Sequence, residues 1–421
     1  LIIMVSYLGW VSAQVTALGL VFHMLSGEAI SLSLGMVIGV VSILAYTLFG
    51  GMWSVAVTDF IQMIILVVGL SVLAVFAGQQ AGGADKVIDY ALSQNMFNFW
   101  PEPGFKEIAF FLAAALTMML GSIPQQDVFQ RVMSANNLQA ATRGPVIGGV
   151  CYILFAFVPM FLVVSALIIM PERATELIAQ DPQKVLPTLV IERMPFFLQV
   201  MFFGALLSAI KSCASATLLA PSVTFTENIW RQFHPHLSDQ QGLKAMRVTV
   251  LVFSVLVLAY AILMQGTSIY ELVSGAYQVT LVAAFVPLVF GLYWSRATTQ
   301  GAIFSIFAGV AVWVAFFPQV TTWGEFFPGQ LAGLIAALIG MLVGSLMPQV
   351  KAGRVRFLGV ATRERLPFLP DVPPIADTVP GYEVQGWNGL LAPAGTPRPT
   401  VELLNREVVR IVKAPAFGEQ F

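Results

Sequence analysis

Charge is scarce in this sequence: 10% of its 421 residues are Asp, Glu, Lys or Arg, against about a quarter in a soluble domain. Cysteine is scarcer still. Cys151 and Cys213 are the two in the chain and both lie in apolar runs, so there is no disulfide framework and no zinc pattern. His23, His234 and His236 show no metal-ligand spacing near an acidic partner and read as loop caps or solvated residues. A net charge of −1 leaves no basic field for nucleic acid. No P-loop, dinucleotide fingerprint or triad signature is present, so neither enzyme chemistry nor a cofactor is supported. What the sequence has is apolar surface: 57% of residues are hydrophobic, 32 of them phenylalanine. A soluble globule cannot hide that much, and a disordered chain would not carry it. The expected class is an all-α polytopic membrane protein, with the lipid bilayer as its solvent.

The few charges are unevenly placed. Residues 350–421 hold 9 of the 21 basic residues, 7 of the 22 acidic residues and 9 of the 24 prolines. Composition therefore divides the chain into a membrane domain, 1–349, and a polar tail, 350–421. Within the first part, runs long enough to cross a bilayer, about 20 residues each, recur about ten times. They lie near 1–25, 31–49, 54–78, 107–123, 144–170, 196–220, 247–265, 272–294, 300–317 and 330–347. Short connections on one side carry Arg131 and Arg143, then Arg231, Lys244 and Arg247, then Arg296, then Lys351, Arg354 and Arg356. Cations on the other side are diluted by acids such as Asp85, Asp89, Glu172, Glu176 and Asp181. The positive-inside rule puts the first set in the cytoplasm. The sequence opens at Leu1 inside a hydrophobic run, without methionine, basic flank or cleavage site. It reads as a fragment, with a processed terminus as the alternative.

Polar residues inside the bilayer are expensive and mark functional candidates. Lys211 stands in the middle of FFGALLSAIKSCASATLLAP (residues 202–221). Asp59 follows the glycine-rich break YTLFGGMWSVAVTD (46–59) and is expected just inside the cytoplasmic interface. In GSIPQQDVFQR (121–131), Gly121 and Pro124 interrupt a helix, while Ser122, Gln125 and Gln126 offer donors and acceptors. Discontinuous helices of transporters use such freed groups to hold solute and ions. An ordinary proline-terminated helix end explains the same residues. Small residues at Ala205, Ser208, Ala209, Ser212 and Ala216 make a stripe for close helix approach, which packing alone explains. At about 100° per residue, Ala209, Ser212 and Cys213 share one face and Lys211 points largely away. A hydroxyl and helix carbonyls on that face suit a hard cation such as sodium.

Four stretches in chain order resemble the sodium:solute symporter family: YTLFGGMWSVAVTDFIQMIILVVG (46–69), IPQQDVFQRVMSA (123–135), ALLSAIKSCASATLLAPSVTFTENIW (205–230) and FGLYWSRATTQGAIF (290–304). The resemblance covers about residues 1–349. It implies a LeuT-like inverted-repeat fold, N-terminally truncated, in which this chain starts at the third core helix. It further implies sodium ligands at Ala209, Ser212 and Cys213, and an inner ion pathway at Asp59. Solute contacts would come from Gly121, Ser122 and Gln125 on a broken helix, and from Glu271 and Gln278 on the tenth core helix. Cys213 stands where the family usually has serine or threonine, and Lys211 where it has an apolar residue.

The tail resembles another family. LPDVPPIADTVPGYE and GWNGLLAPAGTP, followed by a helix capped by Thr396 with an apolar face of Leu404, Val408 and Ile411, look like the end of a tripartite-tricarboxylate-type extracytoplasmic solute-binding receptor. A short α/β fragment is expected there. Charge bias puts it in the cytoplasm, whereas such receptors work outside, so a chimera of two truncated reading frames is expected over an evolved fusion.

The resulting expectation is a secondary symporter in a bacterial inner membrane, moving a small polar solute with sodium as coupling ion. Proton-coupled or uncoupled transport and a membrane sensor are the alternatives. Lacking two core helices, the chain by itself is expected not to transport.

Overall fold

The computed structural model describes residues 2–49, 52–317, 320–351, 364–365 and 372–380, together with Arg398, Glu402, Arg406 and Arg410. The chain divides into two compact units, Leu1–Pro348 and Gln349–Phe421. In the first unit the described residues form helices and turns and no strand.

Among the described residues sixteen α-helices follow one another, the last ending at Lys351. They are α1 (Ile2–Leu25), α2 (Leu32–Phe49), α3 (Met52–Gln80), α4 (Ala84–Ser93), α5 (Phe105–Gly121), α6 (Gln126–Met133), α7 (Leu138–Ile169) and α8 (Pro171–Gln180). Then come α9 (Val185–Arg193), α10 (Phe196–Phe225), α11 (Arg231–Phe233), α12 (Asp239–Leu263), α13 (Ile269–Thr280), α14 (Val286–Tyr293), α15 (Thr299–Ala315) and α16 (Gly329–Lys351). Seven of the apolar stretches are long enough to cross a bilayer, and the pair α5–α6, bent by 40°, makes an eighth. Leu32–Ala45 and Thr299–Ala315 are apolar but shorter. Each hydrophobic run read from the sequence overlaps these helices, the run 272–294 spanning α13 and α14. Their lipid-facing residues are as apolar as their cores: Val146, Ile147, Tyr152 and Ile153 of α7 are all more than half exposed, as a membrane helix permits.

Local chemistry sets the helix ends. Ser238 and Gln241 cap α12, and Ser268 and Glu271 cap α13, each pair satisfying the other's backbone amide. The Asn137 side chain accepts from the Ala140 amide at 2.8 Å to start α7. Prolines shape the interiors. Pro287 cannot donate to the carbonyl one turn back, and a wide π-helical turn, Leu281–Phe285, joins α13 to α14 just before it. A similar turn, Thr226–Trp230, follows Pro221 and joins α10 to α11.

α1 is the hub of the unit, packed against α13, α2, α10 and α12. Tyr7, Val11, Val15 and Leu18 of α1 are buried with Met36, Ile43, Leu218, Phe253 and Val257. A second core joins α3, α7 and α10 with the short helices α8 and α9, through Leu73, Leu162, Leu189 and Phe202. Where α1 crosses α2, a Cβ on Gly35 would stand 2.7 Å from the Gly19 carbonyl oxygen. Glycine is what lets these two backbones meet.

Little of the second unit is described. Ile375–Asp377 forms a 3-10 turn, and Arg398, Glu402, Arg406 and Arg410 are helical, with Arg398 Nε 3.9 Å from Glu402 Oε1. Thr396 and the apolar face of Leu404, Val408 and Ile411 lie outside the described residues, as does most of the expected α/β fragment.

Candidate functional site

Two neighbourhoods gather the polar residues of the membrane helices. The first joins α10, α3, α6 and α1. The Ser212 hydroxyl donates to Oδ1 of Asp59. Oδ2 of Asp59 takes an NH2 hydrogen of Arg131 at 3.0 Å. Arg131 also reaches Asp127 at 3.7 Å, one turn back on α6. Asp127 in turn accepts the Tyr7 hydroxyl at 2.6 Å and donates its backbone amide to that oxygen at 2.9 Å. Tyr7 is fully buried, so its hydroxyl needs this partner. The chain Ser212–Asp59–Arg131–Asp127–Tyr7 thus ties four helices through alternating charges. Beside it, Thr47 Oγ1 of α2 lies 2.9 Å from Ser215 Oγ of α10.

The second neighbourhood is a half-open cavity of about 400 Å³ lined by α1, α2, α3 and α10. Ser42, Gln62, Ser208, Lys211 and Ser212 supply its polar lining, and Phe22 and Leu207 an apolar wall. Gln62 Oε1 is buried and accepts no hydrogen bond among the described residues. Lys211 makes no ion pair or hydrogen bond among the described residues. Sequence geometry turned Lys211 away from the face of Ser212, yet both line this one cavity. Neighbouring helix positions lie about 100° apart, and a long lysine stem spans that angle across an open space.

The interruption between α5 and α6 is closed rather than open. A Cβ on Gly121 would collide with the carbonyl oxygen of Tyr277, so glycine is required there for α5 to touch α13. The Thr280 hydroxyl donates to the freed Gly121 carbonyl at 2.6 Å and lies 3.5 Å from Gln125 Nε2. Gln125 is buried and its Oε1 has no partner among the described residues. Trp10 stacks on Tyr277 with ring centroids 5.1 Å apart, closing the same joint from α1. The Ser122 hydroxyl turns back to Met119 O at 3.1 Å.

Glu271 and Gln278 stand elsewhere. Oε2 of Glu271 accepts from the amide and the hydroxyl of Ser268, both at 3.0 Å, and the pair caps α13. The Trp313 indole donates to Gln278 Oε1 at 3.1 Å, and Gln278 Nε2 lies 3.4 Å from Ser274 Oγ. Their polar groups are committed to helix capping and to packing against α15. Of the sodium candidates, Ser212 meets a carboxylate; the Cys213 carbonyl accepts the Thr217 hydroxyl at 2.9 Å, and Ala209 is half-buried on the same helix. Sequence reasoning missed Tyr7, Trp10, Gln62, Tyr277 and Thr280. Gln62 alone carried a signal, as a polar residue within the apolar run FIQMIILVV.

Hard oxygen atoms at Asp59 and Ser212 are ligands of the kind sodium prefers. Among the described residues no three His, Cys, Asp or Glu side chains cluster to hold a transition metal.

Comparison with known proteins agrees with this architecture. High-affinity choline transporter 1 of Caenorhabditis elegans is 26% identical over 374 residues, covering 82% of this chain and 63% of the transporter. The high-affinity proline transporter PutP of Bacillus subtilis is 27% identical over 366 residues, 84% of this chain and 73% of PutP. The chain thus spans less than two thirds of the choline transporter's length. A solved structure of a Na+-coupled sialic acid symporter, substrate-bound and outward-open, superposes with a TM-score of 0.65 at 18% identity, over 82% of this chain and 74% of that one. That likeness fixes the fold as LeuT-like. Residues 330–421 match the model of the Tripartite tricarboxylate transporter family receptor, beginning within α16. Residues 1–309 match the Sodium:solute symporter family model, and with these multi-pass apolar helices the chain belongs to the sodium:solute symporter family.

Proposed function

We propose that this chain is the membrane part of a sodium-coupled symporter for a small polar solute, working by alternating access in a bacterial inner membrane. The observation that carries the reading is the double role of Ser212. Its hydroxyl meets the Asp59 carboxylate, and the same residue lines the cavity of about 400 Å³. Ion oxygens and a solute chamber therefore adjoin, which is the arrangement that couples the two: each ligand favours the conformation that completes the other's site. In this reading Asp59 and Ser212 are sodium ligands, aided by backbone oxygens near Ala209 and Cys213. The broken α5–α6 pair, with Gly121 and Gln125, is the joint about which the two halves of the unit move. No covalent step is involved. The choline, proline and sialic acid transporters among its relatives support sodium-driven uptake of small solutes. Residues 350–421 form a separate receptor-like unit.

The test is uptake in liposomes by this membrane part joined to the first two core helices of a full-length relative, with labelled choline, proline, lactate and glucose offered in turn; the chain alone is expected to accumulate none. Accumulation of one of these under an inward sodium gradient, and its loss when potassium replaces sodium, is expected. Accumulation that follows a pH gradient regardless of sodium would sink the coupling assignment. It would make the fixed cation Lys211, beside Ser212, the substitute for the ion.

A further inference from the structure

From the polar lining of the cavity we infer that its occupant is a small carboxylate that also carries a hydrogen-bond donor, a hydroxy or amino acid, with Lys211 as its counter-charge. This rests on the solute-transport reading and narrows it. Lys211 sits fifteen residues from Phe196 and fourteen from Phe225 in α10, roughly 20 Å from either helix end at 1.5 Å per residue. Its side chain is too short to carry the ammonium to an interface. An ammonium in the membrane interior needs an anion, and the neighbouring acids are committed. Asp59 holds Ser212 and Arg131, and Asp127 holds Tyr7 and Arg131. Among the described residues the cavity lining contains no acid, so the compensating charge comes from what the cavity binds.

The rest of the lining fits the same chemistry. The Ser208 hydroxyl can donate to a carboxylate oxygen, as Lys211 does, and charge-assisted bonds of this kind are the strong ones; the hydroxyls of Ser42 and Ser212 are already donated, to the Gly39 carbonyl and to Asp59. Gln62 Oε1 is a buried acceptor without a donor; a hydroxyl or amino group beside the carboxylate satisfies it. The volume of about 400 Å³ lies in the range of small-molecule sites. A positive cavity repels a free quaternary amine, so choline is excluded on charge.

Thermal unfolding of the detergent-purified protein tests this, with lactate, acetate, proline and succinate as probes against glycerol and choline. At least one carboxylate should raise the melting temperature in a saturable way while glycerol and choline do not. Lys211→Met should raise the half-maximal carboxylate concentration about tenfold or more, and Lys211→Arg should bring it back to within about threefold of wild type. A neutral or cationic probe acting as strongly as the carboxylates, no response to any carboxylate, or an undiminished response in Lys211→Met would each overturn the proposal. If Lys211→Met does not fold, the selectivity of the unaltered protein and a several-fold weaker response in Gln62→Leu decide. Sodium is varied separately, against potassium. A carboxylate response indifferent to sodium defeats the coupling ion and spares Lys211; a sodium response without a carboxylate response does the reverse.

Discussion

Ser212 of α10 donates its hydroxyl to the carboxylate of Asp59 on α3, across 153 positions of sequence. The other oxygen of that carboxylate is held by Arg131 at 3.0 Å. Asp59 therefore has one oxygen fixed by a cation of α6 and one shared with a hydroxyl that can turn its hydrogen away and coordinate an ion.

Replacing Ser212 with alanine removes one ligand oxygen and leaves the Asp59–Arg131 pair in place. The sodium concentration for half-maximal thermal stabilisation should rise about tenfold or more, as expected for loss of one bond to a charged partner. Ser212→Thr, which keeps the hydroxyl, should stay near wild type. An identical sodium midpoint in Ser212→Ala would remove Ser212 from the ion site.

Tyr7→Phe deletes a hydroxyl that both donates to and accepts from Asp127, while leaving the ring to fill its buried position. The loss should cost about 1–3 kcal/mol, read as a lower unfolding midpoint in detergent. Tyr7→Phe unfolding like wild type would show that water replaces the tyrosine hydroxyl at Asp127.

Gly121→Ala puts a methyl group against the Tyr277 carbonyl, where both sides of the contact are backbone. We expect a loss of about 1–3 kcal/mol by overpacking. Gly275→Ala, also on the α13 side of this joint but with nothing within 4 Å, should be neutral or gain up to about 1 kcal/mol of helix propensity. Comparable unfolding midpoints for the two variants would contradict the close approach.

Among the described residues, the compact unit Leu1–Pro348 contains every helix apolar enough to cross a bilayer. A chain ending after Lys351 should insert with the same yield and topology as the whole, scored by cysteine accessibility in membrane vesicles. Lost insertion would make the remaining seventy residues part of the membrane fold.

The helices were legible because lipid writes itself into composition: a run such as that of α7 has little to bear except apolar side chains. Asp59 and Lys211 drew attention for the converse reason, each being costly in that setting, and Ser212 through its place on the small-residue face of α10. Pairings were not legible. Nothing local tells that Trp313 will occupy Gln278, thirty-five positions away, or that Tyr7 will meet Asp127. Glu271 is different, since the spacing Ser268-x-x-Glu271 is a capping signature readable from four residues. Its reading as a solute contact came from the resemblance. Gln62 escaped notice as one polar residue on a long apolar helix; only the cavity gives it meaning.

The wide turn at Leu281–Phe285 also bears on how this sequence can change length. A π-helical turn holds one residue more than the α-turn it replaces. Deleting Ala284 would shorten that turn to an α-turn and leave the faces of α13 and α14 in their present alignment. The same deletion in the middle of α12 would rotate everything beyond it by about 100°. Loss of a single codon is therefore tolerable at this point of the membrane domain, and ruinous a helix earlier.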